Sequence, residues 1–462
     1  MSVFDHFYNE QMYPGLDAEG AVGRLSKAIS FRTLNNGESH GNDAEFEALQ
    51  EHIRTSYPHV MEAGTFELIG RAVLITIPGS DPDLKPGLYM AHQDVVPVVD
   101  GTGDDWRYPP FSGTVAEDSV WGRGTLDIKN MLFGILEAAE FLLSSGHRFR
   151  RTAYLAFGDD EETMNLGARD IAETLRSRGV TLEFVLDEGG GVIREGSVFG
   201  APDVYVASVD ILEKGYADLE LSVKSIGGHS SRPFGGSSLE KISRAITRIA
   251  DDPFPIELPD PMRKALETLA PYITEAPLAE LVKDIDGNSD RIAHLLSERP
   301  ETFAFVTTTI APTMINGGSS ACNVLPQDMS AVINFRINQG TTAEQVMEHC
   351  RNAVDSDEVQ LRFIQSNDPS DSARTDGMGY EMLIRSAGDF FKDVVFIPCM
   401  TTGATDAYRY GIVCDTCLRF SPFMVEPEEE EAGVHGTNEH IPVRSYLQGI
   451  RFLIRMMEYC NK

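Results

Sequence analysis

Histidines and carboxylates recur in this chain in short runs that follow apolar segments. GLYMAHQDVVP places His92 and Asp94 two residues apart at the end of such a run. If the strand persists they share one face, pairing a metal ligand with the carboxylate that orients it. In WGRGTLDIKNM a glycine-containing turn delivers Asp127 to the start of a helix, where an acid is either a cap or a ligand. AFGDDEETMN sets four carboxylates in a row after an apolar strand, a crowding that is unfavourable unless cations or solvent relieve it. Glu161 and Glu162 are adjacent and point apart in extended chain, so one can bind metal while the other stays free as a base. FVLDEGGG offers Asp187 and Glu188, and GVHGTNEHI offers His435 and Glu439. Singly, these motifs read equally well as a satisfied histidine, a helix cap or a solvated acidic turn. Together they point to a metal centre.

Ligands of open α/β sheets bind outside the carboxyl ends of the strands, which is where these motifs fall. Apolar runs at 73–77, 87–91, 152–157, 182–186, 394–399 and 412–419 alternate with helical patterns and predict a mainly parallel α/β sheet. The clearest helix carries Ile128, Met131, Leu132, Ile135, Leu136 and Ala139 on one stripe and stops at Ser144-Ser145-Gly146. From about 214 to 370 the order becomes βαββαβ, a layer of helices on an antiparallel sheet, with a helical-looking insertion at roughly 253–300. The expected organisation is a catalytic α/β domain in two parts, 1–213 and 371–462, interrupted by a smaller domain over 214–370.

With 39 Lys+Arg against 71 Asp+Glu the net charge is −32, which excludes nucleic acid and anionic membrane as partners. The first thirty residues lack a basic start followed by an apolar core, and no later run is long enough to span a bilayer, so a soluble cytoplasmic protein is expected. Six cysteines are too sparse for a disulfide framework, and Cys414 and Cys417 of GIVCDTCLRF, inside an apolar run, are expected to be buried as small hydrophobes. The acidic stretch Glu426 to Glu431 reads as a solvated loop.

HQDVVP, WGRGTLDIK, DDEE, GGHSS and VHGTNEHI, in this order, resemble the M20 zinc metallopeptidases, the family of glutamate carboxypeptidase, aminoacylase-1 and carnosinase-like dipeptidases. The likeness spans essentially the whole chain, and LDEGG with VHGTNE is most similar to the carboxypeptidase S and N-acyl-amino-acid hydrolase branch. It implies two zinc ions, with His92 and Glu188 on one, Glu162 and His435 on the other, and Asp127 bridging them ahead of a cis peptide. Asp187 is the alternative to Glu188. Asp94 would orient His92, and Glu161 would be the general base. The inserted domain would be a lid that also makes homodimer contacts. Its His229, in GGHSS, would polarise the scissile carbonyl, often from the partner subunit. Asn323 in SACNVLP, Arg336 in NFRI and Gly403 in TTGATDAYRY would hold the substrate's carboxylate end, for which Arg336 has the planar fork.

Ligands of this type suit zinc, which cobalt or manganese can replace. The implied reaction is hydrolysis of a peptide or N-acyl amino acid with a free carboxylate. A dipeptidase or aminopeptidase that reads a free amine is one alternative, and a catalytically inactive metal-binding relative is the other.

Overall fold

The computed structural model describes residues 11–35, 42–191, 193–233, 235–425 and 433–461. The acidic stretch 426–431 lies outside the described residues. Among the described residues no helix is long and apolar enough to cross a membrane.

The apolar runs assemble into a nine-stranded sheet that is mixed rather than wholly parallel. Gly87–His92 lies at its centre, parallel to both Ala153–Gly158 and Phe184–Asp187, while Ala72–Ile77 joins antiparallel to Ala153–Gly158. Cys417–Arg419 extends the parallel set beside Phe184–Asp187, and Tyr205–Glu213 then runs antiparallel to it and parallel to Val394–Thr401. The carboxyl ends of the central strands thus deliver His92, the 159–162 turn and Asp187-Glu188 to one edge.

Lys129–Ser144, the helix expected from the apolar stripe, covers this sheet and is itself covered by Val443–Cys460. Phe423 wedges between the two: a Cβ on Gly134 or Gly449 would come within 2.5 and 2.2 Å of its ring. Glycine is therefore required for close approach here. Of the run at 412–419 only Cys417–Arg419 is strand, because Asp406–Ile412 winds into a 3₁₀ helix; Cys414 and Cys417 are both buried.

The interrupting segment holds Gly215–Lys224, Ser238–Ala250, Thr309–Gly317, Asp328–Ile337, Ala343–Val354 and Gln360–Asn367 in the order βαββαβ. Its four strands form one antiparallel sheet. Both helices start at capping boxes, Ser237 with Glu240 and Thr342 with Gln345, which satisfy the otherwise orphaned first-turn amides. The helical insertion, Asp260–Leu269 through Pro300–Phe303, does not share the core of this segment. Met262, Leu266, Leu269, Ile292 and Leu296 pack instead with Val206, Leu212, Ile397 and Met400 of the nine-stranded sheet.

Candidate metal centre and substrate cleft

His92 ends its strand almost fully buried, and the chain turns before Asp94. The strand does not persist as far as the His-x-Asp spacing supposes, yet Asp94 still meets the imidazole: its carbonyl oxygen accepts from Nδ1 at 2.9 Å, and its carboxylate lies 3.3 Å from the same atom. A carbonyl only accepts, so Nδ1 carries the hydrogen and Nε2 faces the cleft. The Asp94 carboxylate also takes the backbone N–H groups of Glu161 and Glu162, each at 3.2 Å. Residues 161–164 are a turn rather than extended chain, and one buried acid fixes its first two members.

Asp127 is not a helix cap, since Lys129–Ser144 has Ile128 at its N-cap and no side-chain cap bond. The Asp127–Ile128 peptide is cis. The two Asp127 oxygens point to different histidines: Oδ1 lies 3.0 Å from His92 Nε2, and Oδ2 lies 3.0 Å from His435 Nε2. Glu188 approaches His92 Nε2 at 3.5 Å, and Glu162 approaches His435 Nε2 at 3.3 Å. His92, Asp127 and Glu162 offer ligand atoms within 4.8 Å of one another, as do His92, Glu161 and Glu188.

Asp187 is turned away and spent on structure, accepting from the backbone N–H groups of Glu188 and Ala407, each at 2.8 Å. Behind Glu188, Gly189, Gly190 and Gly191 all have positive φ, and a Cβ on Gly190 would come within 2.7 Å of the Ser208 carbonyl oxygen. Only glycine lets the chain leave the site in this way.

Glu439 does not join the cluster. Its fully buried carboxylate accepts from the backbone N–H groups of Gly124 at 2.9 Å and Leu126 at 2.8 Å, and from Arg123 Nη1 at 2.5 Å. Arg123 Nη2 in turn donates to the His435 carbonyl oxygen at 3.1 Å. His435 sits in the left-handed region at φ 60°, a conformation that persists where its surroundings hold it. One buried ion pair therefore braces the loop that carries Asp127 and the backbone that carries His435. Sequence reasoning missed Arg123, although the R of WGRG and the E of TNEH were its signal.

The electrostatics describe a set of anions that wants positive charge. Burial alone would lower the pKa of His92, but hydrogen bonds to Asp127, Asp94 and Glu188 outweigh it and hold the imidazole well above its ordinary value. Asp127 and Glu162 hold His435 up at about 10. Burial, with Asp127 beside it, pushes Glu188 up to about 8, and burial also lifts Glu161 well above the carboxylate range. Like charges so placed cannot all ionise unless a cation neutralises them. Glu162 Oε1 is buried without a hydrogen-bond partner. The donor set of two imidazoles and four carboxylates, one of them with an orphaned oxygen, fits divalent metal.

The cluster opens into a cleft of about 700 Å³ between the two sheets. Arg336 lines it from the antiparallel sheet, stacked 4.8 Å over the Tyr216 ring and donating through Nη1 to the Thr402 carbonyl oxygen at 3.2 Å. Gly403, next to Thr402, lines it with Tyr408. His229 and Asn323 are not brought to the cleft. They sit together on an exposed two-stranded ribbon, Gly228–His229 paired with Val324–Leu325, where the Asn323 carbonyl oxygen accepts from the Ser230 N–H at 2.9 Å.

The model of peptidase family M20/M25/M40 matches residues 88–459. The mouse N-fatty-acyl-amino acid synthase/hydrolase PM20D1 is 33% identical over 94% of this chain and 86% of its own. Carboxypeptidase S of Saccharomyces cerevisiae is 28% identical over 99% and 87%. Among solved structures, an M20 family metallo-carboxypeptidase of Sulfolobus solfataricus superposes with a TM-score of 0.69 at 18% identity, over 95% of this chain and 98% of that one.

Proposed function

We propose that this chain, which belongs to peptidase family M20/M25/M40 and is a metallopeptidase-type amidohydrolase, uses a pair of zinc ions to cleave the amide of a peptide or N-acyl amino acid bearing a free carboxylate. The observation that carries the reading is Asp127, whose two oxygens face two different histidines, each with its own further carboxylate. In this arrangement His92 and Glu188 hold one ion, His435 and Glu162 the other, and Asp127 both. Such a pair, when bound, polarises a carbonyl and brings the pKa of water toward neutrality.

The remaining work falls to the protein. Glu161, held beside His92 and Glu188 among the candidate ligands, accepts the proton of the attacking water and returns it to the departing amine. Arg336, which lines the cleft near Gly403, takes the substrate carboxylate and so fixes which amide lies over the metals. The relatives named as N-fatty-acyl-amino acid synthase/hydrolase and as carboxypeptidase S both favour a substrate that ends in an amino acid.

His229 and Asn323 complete the site from a second copy of the chain. The exposed strand Thr309–Gly317, at the edge of the antiparallel sheet with Met314 and Ile315 bare, supports that reading. A panel of N-acyl amino acids, peptides and their carboxamides tests the function. Cleavage confined to substrates without a carboxylate overturns it, as does full activity in Glu161→Gln protein that retains its metal.

A further inference from the structure

Behind the cleft lies a second cavity, of about 300 Å³, that no step above uses. Its floor is the face of Tyr205–Glu213 and Val394–Thr401 that carries Ser208, Asp210 and Cys399. Val198 and Phe199 of the short turn Gly196–Phe199 wall it on one side, and Phe305, just beyond the helical insertion, walls it on another. Gly190 and Thr402 line its inner side, while their neighbours Gly189 and Gly403 line the main cleft, and Thr401 is common to both. The two cavities therefore meet at Thr401, beside the carbonyl that receives Arg336.

Asp210 is the unusual member of this wall. It is only 5% exposed, and its Oδ1 has no hydrogen-bond partner, although Ser208 and the Gly190 backbone lie against the carboxylate. The lining mixes Val198, Phe199, Phe305 and Ile397 with Arg194, Glu195 and Glu301, and a buried acceptor left unmatched in such a cavity is what a ligand donor would satisfy.

We propose that this cavity is the pocket for the side chain of the substrate's amino-acid moiety, shaped for an aromatic group whose far end donates a hydrogen bond to Asp210. The volume is ample for one aromatic side chain. The position follows from the functional reading above, on which this inference rests: a carboxylate on Arg336 lies next to Thr402, whose carbonyl oxygen accepts from that guanidinium and which lines the second cavity. On this reading the helical insertion contributes to specificity, by closing the pocket from outside.

The test is the ratio of kcat/KM values for two series, one with the acyl group fixed and the amino acid varied through glycine, phenylalanine, tyrosine and tryptophan, the other with glycine fixed and acyl length varied. In the wild type the aromatic conjugates exceed glycine by at least about tenfold. Val198→Trp, which fills the pocket, lowers that ratio at least about tenfold, and Phe305→Ala, which enlarges it, shifts preference toward bulkier side chains. Asp210→Ala lowers the tyrosine-to-phenylalanine ratio about fivefold or more. Melting curves verify folding, and Phe305→Ala decides the matter if Val198→Trp does not fold. Unchanged ratios in the folded variants, or effects confined to the acyl-length series, overturn the pocket while the function stands. Wild-type protein that turns over no member of either series, glycine conjugates included, overturns both.

Discussion

Arg123 Nη1 and Glu439 Oε2 lie 2.5 Å apart, both side chains almost entirely out of solvent, and neither touches the proposed metals directly. Glu439 fixes the backbone of 124–126 just ahead of Asp127, and Arg123 fixes the carbonyl of His435. These are positioning residues for the two ligands that must face each other. Removing one partner leaves the other charge buried and alone, so Glu439→Ala is expected to cost about 3–5 kcal/mol of stability, whereas replacing both partners with apolar residues costs less than the sum. Metal affinity should fall about 10- to 100-fold in the single variants, as for other groups that orient ligands. Urea unfolding and metal titration read the two effects separately. Single variants with wild-type stability and metal affinity would show that the pair braces nothing.

Arg336 offers its guanidinium to the cleft while already donating to Thr402 and stacking on Tyr216, so its fork is held in one plane. Lysine keeps the charge and loses the fork. Arg336→Lys is therefore expected to raise KM for carboxylate substrates and lower kcat/KM by about 10- to 100-fold, with little effect on their carboxamide analogues. Equal losses on both substrate types would remove Arg336 from carboxylate recognition.

The parts of this molecule that were legible in the sequence are those set by local periodicity. The stripe from Ile128 to Leu143 gave the helix over the sheet, and helical patterns between alternating runs gave βαββαβ, because amphipathic spacing reports burial directly. Clustered acids and histidines at strand ends were legible only jointly, since each alone reads equally well as a cap or a solvated turn. What depends on distant pairing was not legible. Tyr205–Glu213 carries Ser208 and Asp210 among its apolar residues and runs almost directly into the next strand, so nothing local separates them or shows that it lies antiparallel to Cys417–Arg419. The insertion's apolar face likewise does not say which sheet it covers. The structural role of Glu439 was not legible, because its partners, the amides of 124 and 126, are more than 300 residues away in the chain.

His229 is exposed on its ribbon and outside the cleft. If it acts on the partner's substrate, a His229→Ala protein and a Glu161→Gln protein are each inactive, yet one heterodimer of the two contains a site with both residues intact. Random mixing of equal amounts then restores about a quarter of the wild-type sites, given two-fold symmetric exchange. Activity that does not exceed the sum of the separate proteins, with heterodimers shown by sedimentation or native mass spectrometry, places His229 in its own site or in none.

Lys214 lies where the nine-stranded sheet passes into the antiparallel one, its Nζ donating to the carbonyl oxygens of Ala304 at 2.6 Å and Thr307 at 2.7 Å. Burial pushes its pKa down from 10.5 to about 7, and Arg336 acts in the same direction. The unfolded chain therefore holds this proton up to about pH 10.5, while the folded chain releases it near 7. Between those limits the unfolded state binds more protons, so stability from this group rises with pH; as pH falls through about 7 the contribution is lost. Lys214→Met should remove a positive slope of at most ~1.4 kcal/mol per pH unit across that window. Urea unfolding of both proteins at pH 7.5, 8.5 and 9.5 gives the difference directly, since every other titrating group is common to the pair. Parallel stability profiles would mean that Lys214 keeps its proton in the folded protein, and that its two carbonyl partners suffice to hold the charge at the junction.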